Sequence, residues 1–185
     1  MGKVVLTMQM SLDGVVSHEH EWMSMSEEIL RDYLDYYRSV GTIVVGSHSY
    51  ASLAQYWQQA EQSDDDLERE IAIRINEIPK VVITGSEVDL VWRNSRQLLS
   101  VDVESVVREI ELLRESPGIV SVESGVWTWQ RFIQNELYDE LWLLVHPVVA
   151  SHGERLFAFA RNPASLTLTE SKTYENGVVG LHYRK

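Results

Sequence analysis

The chain has 185 residues, of which 44% are hydrophobic and 24% are charged, and it contains no cysteine. Its formal net charge of −12 argues against binding to nucleic acid or to an anionic membrane surface, since both need clustered positive charge. The lack of cysteine excludes disulfides, thiolate catalysis and zinc sites built on cysteine, and the N-terminal residues lack the apolar core of a signal peptide. We therefore expect one cytoplasmic domain over residues 1–185.

Buried strands alternate with amphipathic helices along the chain. Short β-branched runs predict strands, and apolar residues at helical spacing behind a Ser, Asp or Gly predict helices. The predicted strands are Val4–Met10, Thr42–Val45, Lys80–Thr84, an irregular segment at Val91–Leu99, Gly118–Val122, one more before the loop at Gly153, and an alternating pair at Leu166–Ser171 and Val178–Tyr183. The predicted helices start near Ser26, Gly46, Ser63, Asp102 and Gly125.

This order of elements predicts an α/β protein of one domain. Alternating strands and helices favour three layers, α/β/α, around a mixed and mostly parallel sheet. The last two strands, joined by a turn at Tyr174–Gly177, predict an antiparallel hairpin at the sheet edge.

Small residues follow several of the predicted strands directly. Ser11–Gly14, Gly46–Tyr50, Thr84–Ser86 and Glu123–Trp127 each stand where a strand ends. Glycine lets a ligand approach the backbone closely, and a helix N-terminus attracts an anion. Ordinary helix capping explains each junction singly, but the carboxyl ends of parallel strands share one edge. We therefore expect the four segments to converge on one cleft.

Two other kinds of chemistry have weaker support. His18–Glu21 places two histidines beside two carboxylates, which would suit a metal-dependent hydrolase, but a solvated polar loop is the simpler interpretation because no further ligand cluster is evident. We expect no metal site. Ser121 and Ser124 do not form the Gly-x-Ser-x-Gly turn of a serine hydrolase.

A set of short blocks runs in order along nearly the whole chain. The blocks are Met10–Gly14 (MSLDG), Gly46–Tyr50 (GSHSY), Asn76–Val82 (NEIPKVV), Trp92–Ser95 (WRNS), Ser124–Gly125, Leu137–Leu143 (LYDELWL), Pro147–Val149 (PVV) and Gly153–Phe157 (GERLF). Together they resemble the dihydrofolate reductase-like fold, specifically the reductase domain of the bifunctional riboflavin-biosynthesis deaminase-reductase and its stand-alone bacterial relatives. The ordered set, rather than any single block, carries this resemblance.

The resemblance implies a reductase that transfers a hydride from NADPH to a pterin-like or aminopyrimidine-like heterocycle. It also implies a homodimer. It places Thr7 and Met8 at the nicotinamide, Gly46, Ser47, His48, Ser49 and Tyr50 at the adenosine and its phosphates, Thr84, Gly85 and Ser86 at the adenine ribose, and Ser124, Gly125 and Val126 at the pyrophosphate. Asp13, which would order the loop on the substrate side, and Glu123 are the candidate catalytic carboxylates.

Two positions depart from the pattern of the family. Ser47 stands where many relatives carry an arginine that grips the 2′-phosphate of NADPH, so NADH is an alternative cofactor. Glu123 replaces a glycine common in the stand-alone relatives and would repel a pyrophosphate if it pointed towards it. The alternative function is therefore a non-catalytic ligand-binding or dimeric scaffold protein that kept the fold and lost the cofactor site.

Overall fold

The computed structural model describes residues 2–100, 102–159 and 164–185, and residues 1, 101 and 160–163 lie outside the described part. The strands are β1 (Val4–Ser11), β2 (Val40–Gly46), β3 (Lys80–Thr84), β4 (Ser95–Leu99), β5 (Ile119–Val122), β6 (Glu140–His146), β7 (Thr167–Thr173) and β8 (Val179–Arg184). The helices are α1 (Glu27–Ser39), α2 (Ser47–Ala60), α3 (Asp66–Glu77), α4 (Val103–Glu115) and α5 (Val126–Gln134). None of them is long and apolar enough to span a membrane.

All these strands belong to one sheet, in the order β4-β3-β2-β5-β1-β6-β8-β7. The pairs from β4 to β6 are parallel, whereas β8 runs antiparallel to both β6 and β7. The predicted mixed, mostly parallel sheet with a C-terminal antiparallel hairpin is therefore confirmed. The carboxyl ends of β1, β2, β3 and β5 share one edge, as parallel strands require.

The sheet differs from the sequence prediction at one edge. The segment expected to be irregular over Val91–Leu99 contains a regular strand, β4, which pairs with β3 from Lys80↔Ser95 to Thr84↔Leu99. Its side chains are partly or largely exposed, so it has no buried apolar run to reveal it. The predicted loop at residues 15–25 also contains a short 3₁₀ turn, Glu19–Glu21.

Alternation along β1 divides the protein into two layers. Leu6 and Met8 pack in a cluster with Trp129 and Phe132 of α5, on the side of α4. Val5 packs on the opposite side with Ile29 of α1. Because successive side chains of a strand point to opposite faces, Thr7 and Gln9 face α1 together with Val5. The α1 side of the sheet centre therefore carries polar side chains.

A buried lysine joins α3 to the loop that precedes β4. Lys80 has no exposed surface, and its ammonium group donates to the carbonyl oxygens of Asn76 at 2.7 Å and Arg93 at 3.3 Å. The indole of Trp92 donates to Asn76 Oδ1 at 2.5 Å, and its ring lies 4.7 Å from Lys80 Nζ. Burial lowers the pKa of Lys80 to about 7. The Asn76–Val82 and Trp92–Ser95 blocks thus serve the packing of the sheet edge.

Candidate functional site

The N-termini of α2 and α5 meet at the carboxyl ends of β2 and β5. The other three helices in the described ranges have a side chain as N-cap acceptor, from Ser26, Asp65 or Asp102. At α2 and α5 the N-cap is glycine, Gly46 and Gly125, and no side chain caps the helix. Their first backbone N–H groups are therefore available to a ligand, and both helix dipoles favour a negative one.

Close packing explains why glycine stands at both N-caps. A Cβ atom at Gly46 would collide with the hydroxyl of Thr128, and one at Gly125 would lie 3.0 Å from the hydroxyl of Ser49. In addition, the Gly46 N–H donates to Ser124 Oγ at 3.0 Å. The two helix starts are thus held against each other by glycine contacts and one hydrogen bond.

A cleft of about 260 Å³ lies on the α4 and α5 side of this junction. Gly46, Ser47 and His48 form one wall, and Thr84 and Gly85 form another. The opposite wall comes from the first two turns of α5 and the start of α4, with Trp127, Arg131 and Asp102. A Cβ atom at Gly85 would meet no atom within 4 Å, so this residue faces open space.

Arg131 brings positive charge to the smaller cleft. Its guanidinium carbon lies 5.3 Å from the ring centroid of Trp127, a side chain that is 65% exposed. In the part of the chain that the structure describes, no carboxylate forms an ion pair with Arg131. The guanidinium is therefore free to bind an anion in the cleft.

A second cavity, of about 520 Å³, lies on the α1, α2 and α3 side of the same junction. Thr7, Met8 and Gln9 of β1 line it, with Glu123, Ser124 and Gly125 after β5, and Ser49 from the first turn of α2. The remaining walls are largely aromatic or aliphatic and include Tyr33, Tyr37, Leu53, Trp57 and Met23. The two cavities therefore flank one pair of helix N-termini.

Glu123 is the carboxylate of the larger cavity. It accepts a hydrogen bond of 2.5 Å from Ser121 Oγ and longer ones, 3.4 Å to each oxygen, from Thr7 Oγ1. Burial raises its pKa above the usual value of a glutamate, although hydrogen bonds from Ser121, Tyr37 and Thr7 oppose that effect. Because Ser121 and Thr7 hold the carboxylate on the α1 side of the sheet, it does not enter the smaller cleft.

A chain of polar side chains connects the larger cavity to the loop that covers it. Gln9 Nε2 donates to the Tyr33 hydroxyl at 2.9 Å, and Gln9 Oε1 lies 2.6 Å from His146 Nε2. The Ser24 N–H donates to His146 Nδ1 at 3.3 Å, so we assign the ring proton to Nε2, from which it is donated to Gln9. Burial lowers the pKa of His146, which favours this neutral form.

The structure brings together most of the residues that the sequence predicted for the site. The smaller cleft contains Gly46, Ser47, His48, Thr84 and Gly85, and the larger cavity contains Thr7, Met8, Ser49, Glu123, Ser124 and Gly125. Four predicted residues line neither cavity, namely Asp13, Tyr50, Ser86 and Val126. Tyr50 is buried, with its hydroxyl accepting the Trp92 N–H, and Val126 belongs to the core.

Asp13 stabilises loops rather than lining a cavity. Its carboxylate accepts hydrogen bonds from the Ser11 hydroxyl at 2.7 Å and from the backbone N–H groups of Ala150 and Ser151 at 2.9 and 3.1 Å. It also pairs with Arg155 at 3.3 Å. The bonds from Ser11 and Ala150 lower the pKa of this carboxyl. Asp13 therefore keeps a negative charge and joins the first turn to the segment after β6.

Sequence reasoning missed several cavity residues. Tyr33 and Tyr37 are four residues apart on α1, a spacing that the sequence showed but that ordinary helix packing also explains. Arg131 and Trp127 occupy an exposed helix surface, where nothing in the sequence distinguishes a cleft wall from a solvated face. No group of three or more metal-ligating side chains occurs in residues 2–100, 102–159 and 164–185.

Comparisons with known proteins agree on one family. The family model described as the RibD C-terminal domain matches residues 2–180. A curated relative, the uncharacterized protein YyaP of Bacillus subtilis (strain 168), is 26% identical over 98% of this chain and 94% of its own.

Solved structures share the fold at low sequence identity. RibD of Acinetobacter baumannii superposes with a TM-score of 0.70 at 15% identity, over 100% of this chain and 58% of that one. The diaminohydroxyphosphoribosylaminopyrimidine deaminase/5-amino-6-(5-phosphoribosylamino)uracil reductase of Thermotoga maritima gives 0.67 at 15% identity, over 99% and 56%. A pyrimidine reductase-like protein of Corynebacterium diphtheriae gives 0.61 at 12%, over 99% and 91%. The fold is therefore the dihydrofolate reductase-like one, and the chain spans slightly more than half of the first two proteins.

Proposed function

Because the chain belongs to the RibD C-terminal domain family, we propose that it is an NAD(P)H-dependent reductase that transfers a hydride to a pterin-like or pyrimidine-like heterocycle. The main supporting observation is the pair of glycine-capped helix N-termini, at Gly46 and Gly125, between a cleft and a larger cavity. A dinucleotide needs an anion site between two compartments, one for each half. The chain offers that arrangement.

The residues of the chain fit such a cofactor. The N–H groups at the starts of α2 and α5 would bind the pyrophosphate, and the smaller cleft would take the adenosine half. Ser47 cannot neutralise a 2′-phosphate, but Arg131 lines the same cleft from the opposite side. Arg131 would therefore supply the charge that relatives take from an arginine at position 47, so NADPH is the proposed cofactor.

The larger cavity would hold the nicotinamide beside the substrate. A bound nicotinamide cofactor supplies the hydride, so the chain itself needs to orient two rings and keep water away. Thr7 and Met8 would contact the nicotinamide, and Glu123 would orient the substrate through its ring N–H groups. The aromatic and aliphatic walls at Tyr37 and Trp57 would exclude water.

A homodimer, a cytoplasmic location and a small heterocycle as the partner complete the proposal. Static light scattering of the purified chain tests the dimer. The alternative of a scaffold with a lost cofactor site was motivated by Ser47 and Glu123. It has less support, because Arg131 carries a free charge in the cleft and Glu123 lies in the other cavity.

Blocking the smaller cleft tests the proposal. Gly85→Trp places an indole in open space, so it fills the cleft without a backbone collision. The adjacent Ser86→Trp is the matched control, since Ser86 lines neither cavity. We expect the wild type and Ser86→Trp to bind NADPH with micromolar affinity in a nicotinamide fluorescence titration, and Gly85→Trp to bind it at least tenfold more weakly. Failure of the wild type to bind either NADPH or NADH below millimolar concentration contradicts the proposed function.

A further inference from the structure

We propose that the heterocycle bound in the larger cavity is uncharged or cationic and carries no phosphate, and that it bears an apolar substituent. The inference rests on the proposed function, since it assigns the substrate class of the same site. It separates this chain from the Thermotoga maritima protein, whose substrate is named as a phosphoribosyl compound.

The charge of the cavity is the first argument. Two carboxylates, Glu19 and Glu123, line it, whereas no Lys, Arg or His is found among the described residues of its wall. A phosphate buried beside carboxylates and away from cations is repelled and loses its hydration. The cavity therefore disfavours an anionic substrate.

The groups that normally bind phosphate are already engaged. The backbone N–H groups at the starts of α2 and α5 are the anion site of the junction, and in the proposed function the cofactor pyrophosphate occupies them. Two cations outside the cavity wall are paired, Lys172 with Asp32 at 2.7 Å and Arg155 with Asp13 at 3.3 Å. A second phosphate would thus find no receptor in this part of the described structure.

The polar end of the cavity fits the edge of a flat heterocycle. Glu123 offers carboxylate oxygens to ring N–H or amino groups. The Tyr33 hydroxyl accepts a hydrogen bond from Gln9, and within the described residues its own hydrogen has no acceptor, so it is available to a ring carbonyl or ring nitrogen. An amino group and an adjacent acceptor on one ring, as in aminopyrimidines and pterins, match this pair of side chains.

The other end of the cavity is apolar. Leu30, Leu53, Trp57, Ile71, Met23 and Met25 line it from three helices and from the covering loop. A sugar phosphate would leave its hydroxyl groups without partners there, which costs more binding free energy than the contacts return. An aromatic or aliphatic substituent on the ring would instead bury apolar surface against these side chains.

The test uses the purified full chain and two pairs of ligands. The first pair is 5-amino-6-(ribosylamino)uracil with and without its 5′-phosphate, and the second is 2,4-diaminopyrimidine with and without a 5-benzyl group. Trp57 and Trp129 line the cavity, so quenching of tryptophan fluorescence reports binding, with and without NADPH. We expect the phosphate to weaken binding at least tenfold and the benzyl group to strengthen it at least tenfold.

Matched variants tie the result to the cavity. Glu123→Gln should weaken the cationic diaminopyrimidines at least tenfold, whereas Glu104→Gln, at an exposed position of α4 outside both cavities, should leave them unchanged. Tighter binding of the phosphorylated uracil, or binding of none of the four ligands, overturns the inference. Since the NADPH titration is read separately, cofactor binding combined with a preference for the phosphate contradicts only the substrate class and leaves the proposed function standing.

Discussion

The backbone N–H of Gly46 donates a 3.0 Å hydrogen bond to Oγ of Ser124. This bond joins the residue before α2 to the residue before the N-cap of α5 and fixes the distance between the two helix starts. The pair therefore acts as one anion site rather than two, which is why the small residues after β2 and β5 belong together.

Arg131 determines the preference for NADPH over NADH. We expect Arg131→Ala to weaken NADPH binding about tenfold or more, because a hydrogen bond to a charged group contributes about 1.5 kcal/mol or more. Binding of NADH, which lacks the 2′-phosphate, should stay within about twofold of wild type. Fluorescence titrations with 2′,5′-ADP and 5′-AMP as competitors measure the difference without turnover, and Arg108→Ala, on the exposed surface of α4, is the control. An unchanged ratio of the two affinities contradicts the role of Arg131.

The raised pKa of Glu123 predicts a particular dependence of stability on pH. The folded state binds the Glu123 proton more tightly than the unfolded state, so the free energy of unfolding falls as pH rises through the folded pKa. Glu123→Gln removes this effect. We therefore expect the variant to gain stability relative to wild type at pH 7 compared with pH 4, as measured by urea unfolding at both pH values. A difference between the two proteins that does not change with pH contradicts the assignment.

His146 predicts the opposite slope at mildly acidic pH. Burial lowers its pKa, so below the unfolded value of about 6.5 the unfolded state binds more protons. Protonation also places a hydrogen on Nδ1, which then cannot accept the Ser24 N–H. We expect wild type to lose stability between pH 7 and pH 5, and His146→Gln to lose less over this range, whatever its stability at pH 7. Equal losses in the two proteins would exclude His146 as the cause.

Lys80 contributes to folding rather than to the proposed reaction. Lys80→Met keeps the packing length but leaves the carbonyl oxygens of Asn76 and Arg93 without their donor, so we expect a loss of about 2–3 kcal/mol in the free energy of unfolding. Lys172→Met, which breaks a half-exposed ion pair with Asp32, should cost about 1 kcal/mol or less. Urea unfolding of both variants, together with NADPH titration, separates stability from binding. Comparable losses in the two variants would contradict the buried role of Lys80.

The sequence predicted the fold because its local signals agree with the final structure. Ser26 and Asp102 cap the helices that they were expected to cap, and the β-branched runs form the central strands. β4 was missed as a regular strand, since its half-exposed residues lack a buried pattern.

The site was predicted less completely, because the direction of a side chain depends on tertiary packing. Spacing placed Tyr50 and Val126 next to true cavity residues, but their side chains point into the core. Arg131 lies on a helix face whose partner across the cleft, Thr84, is 47 positions away in the chain. Such a relation leaves no local mark on the sequence.

The central sheet separates the two cavities so that different helices line each of them. Residues of α4 and α5 shape the smaller cleft, and residues of α1, α2 and α3 shape most of the larger one, with only the first turn of α2 and the residues around Gly125 common to both regions. Substitutions in one layer therefore leave the contacts of the other intact, and their effects on binding should add. Evolution can exchange the substrate of such a chain by changing one layer while the cofactor stays the same.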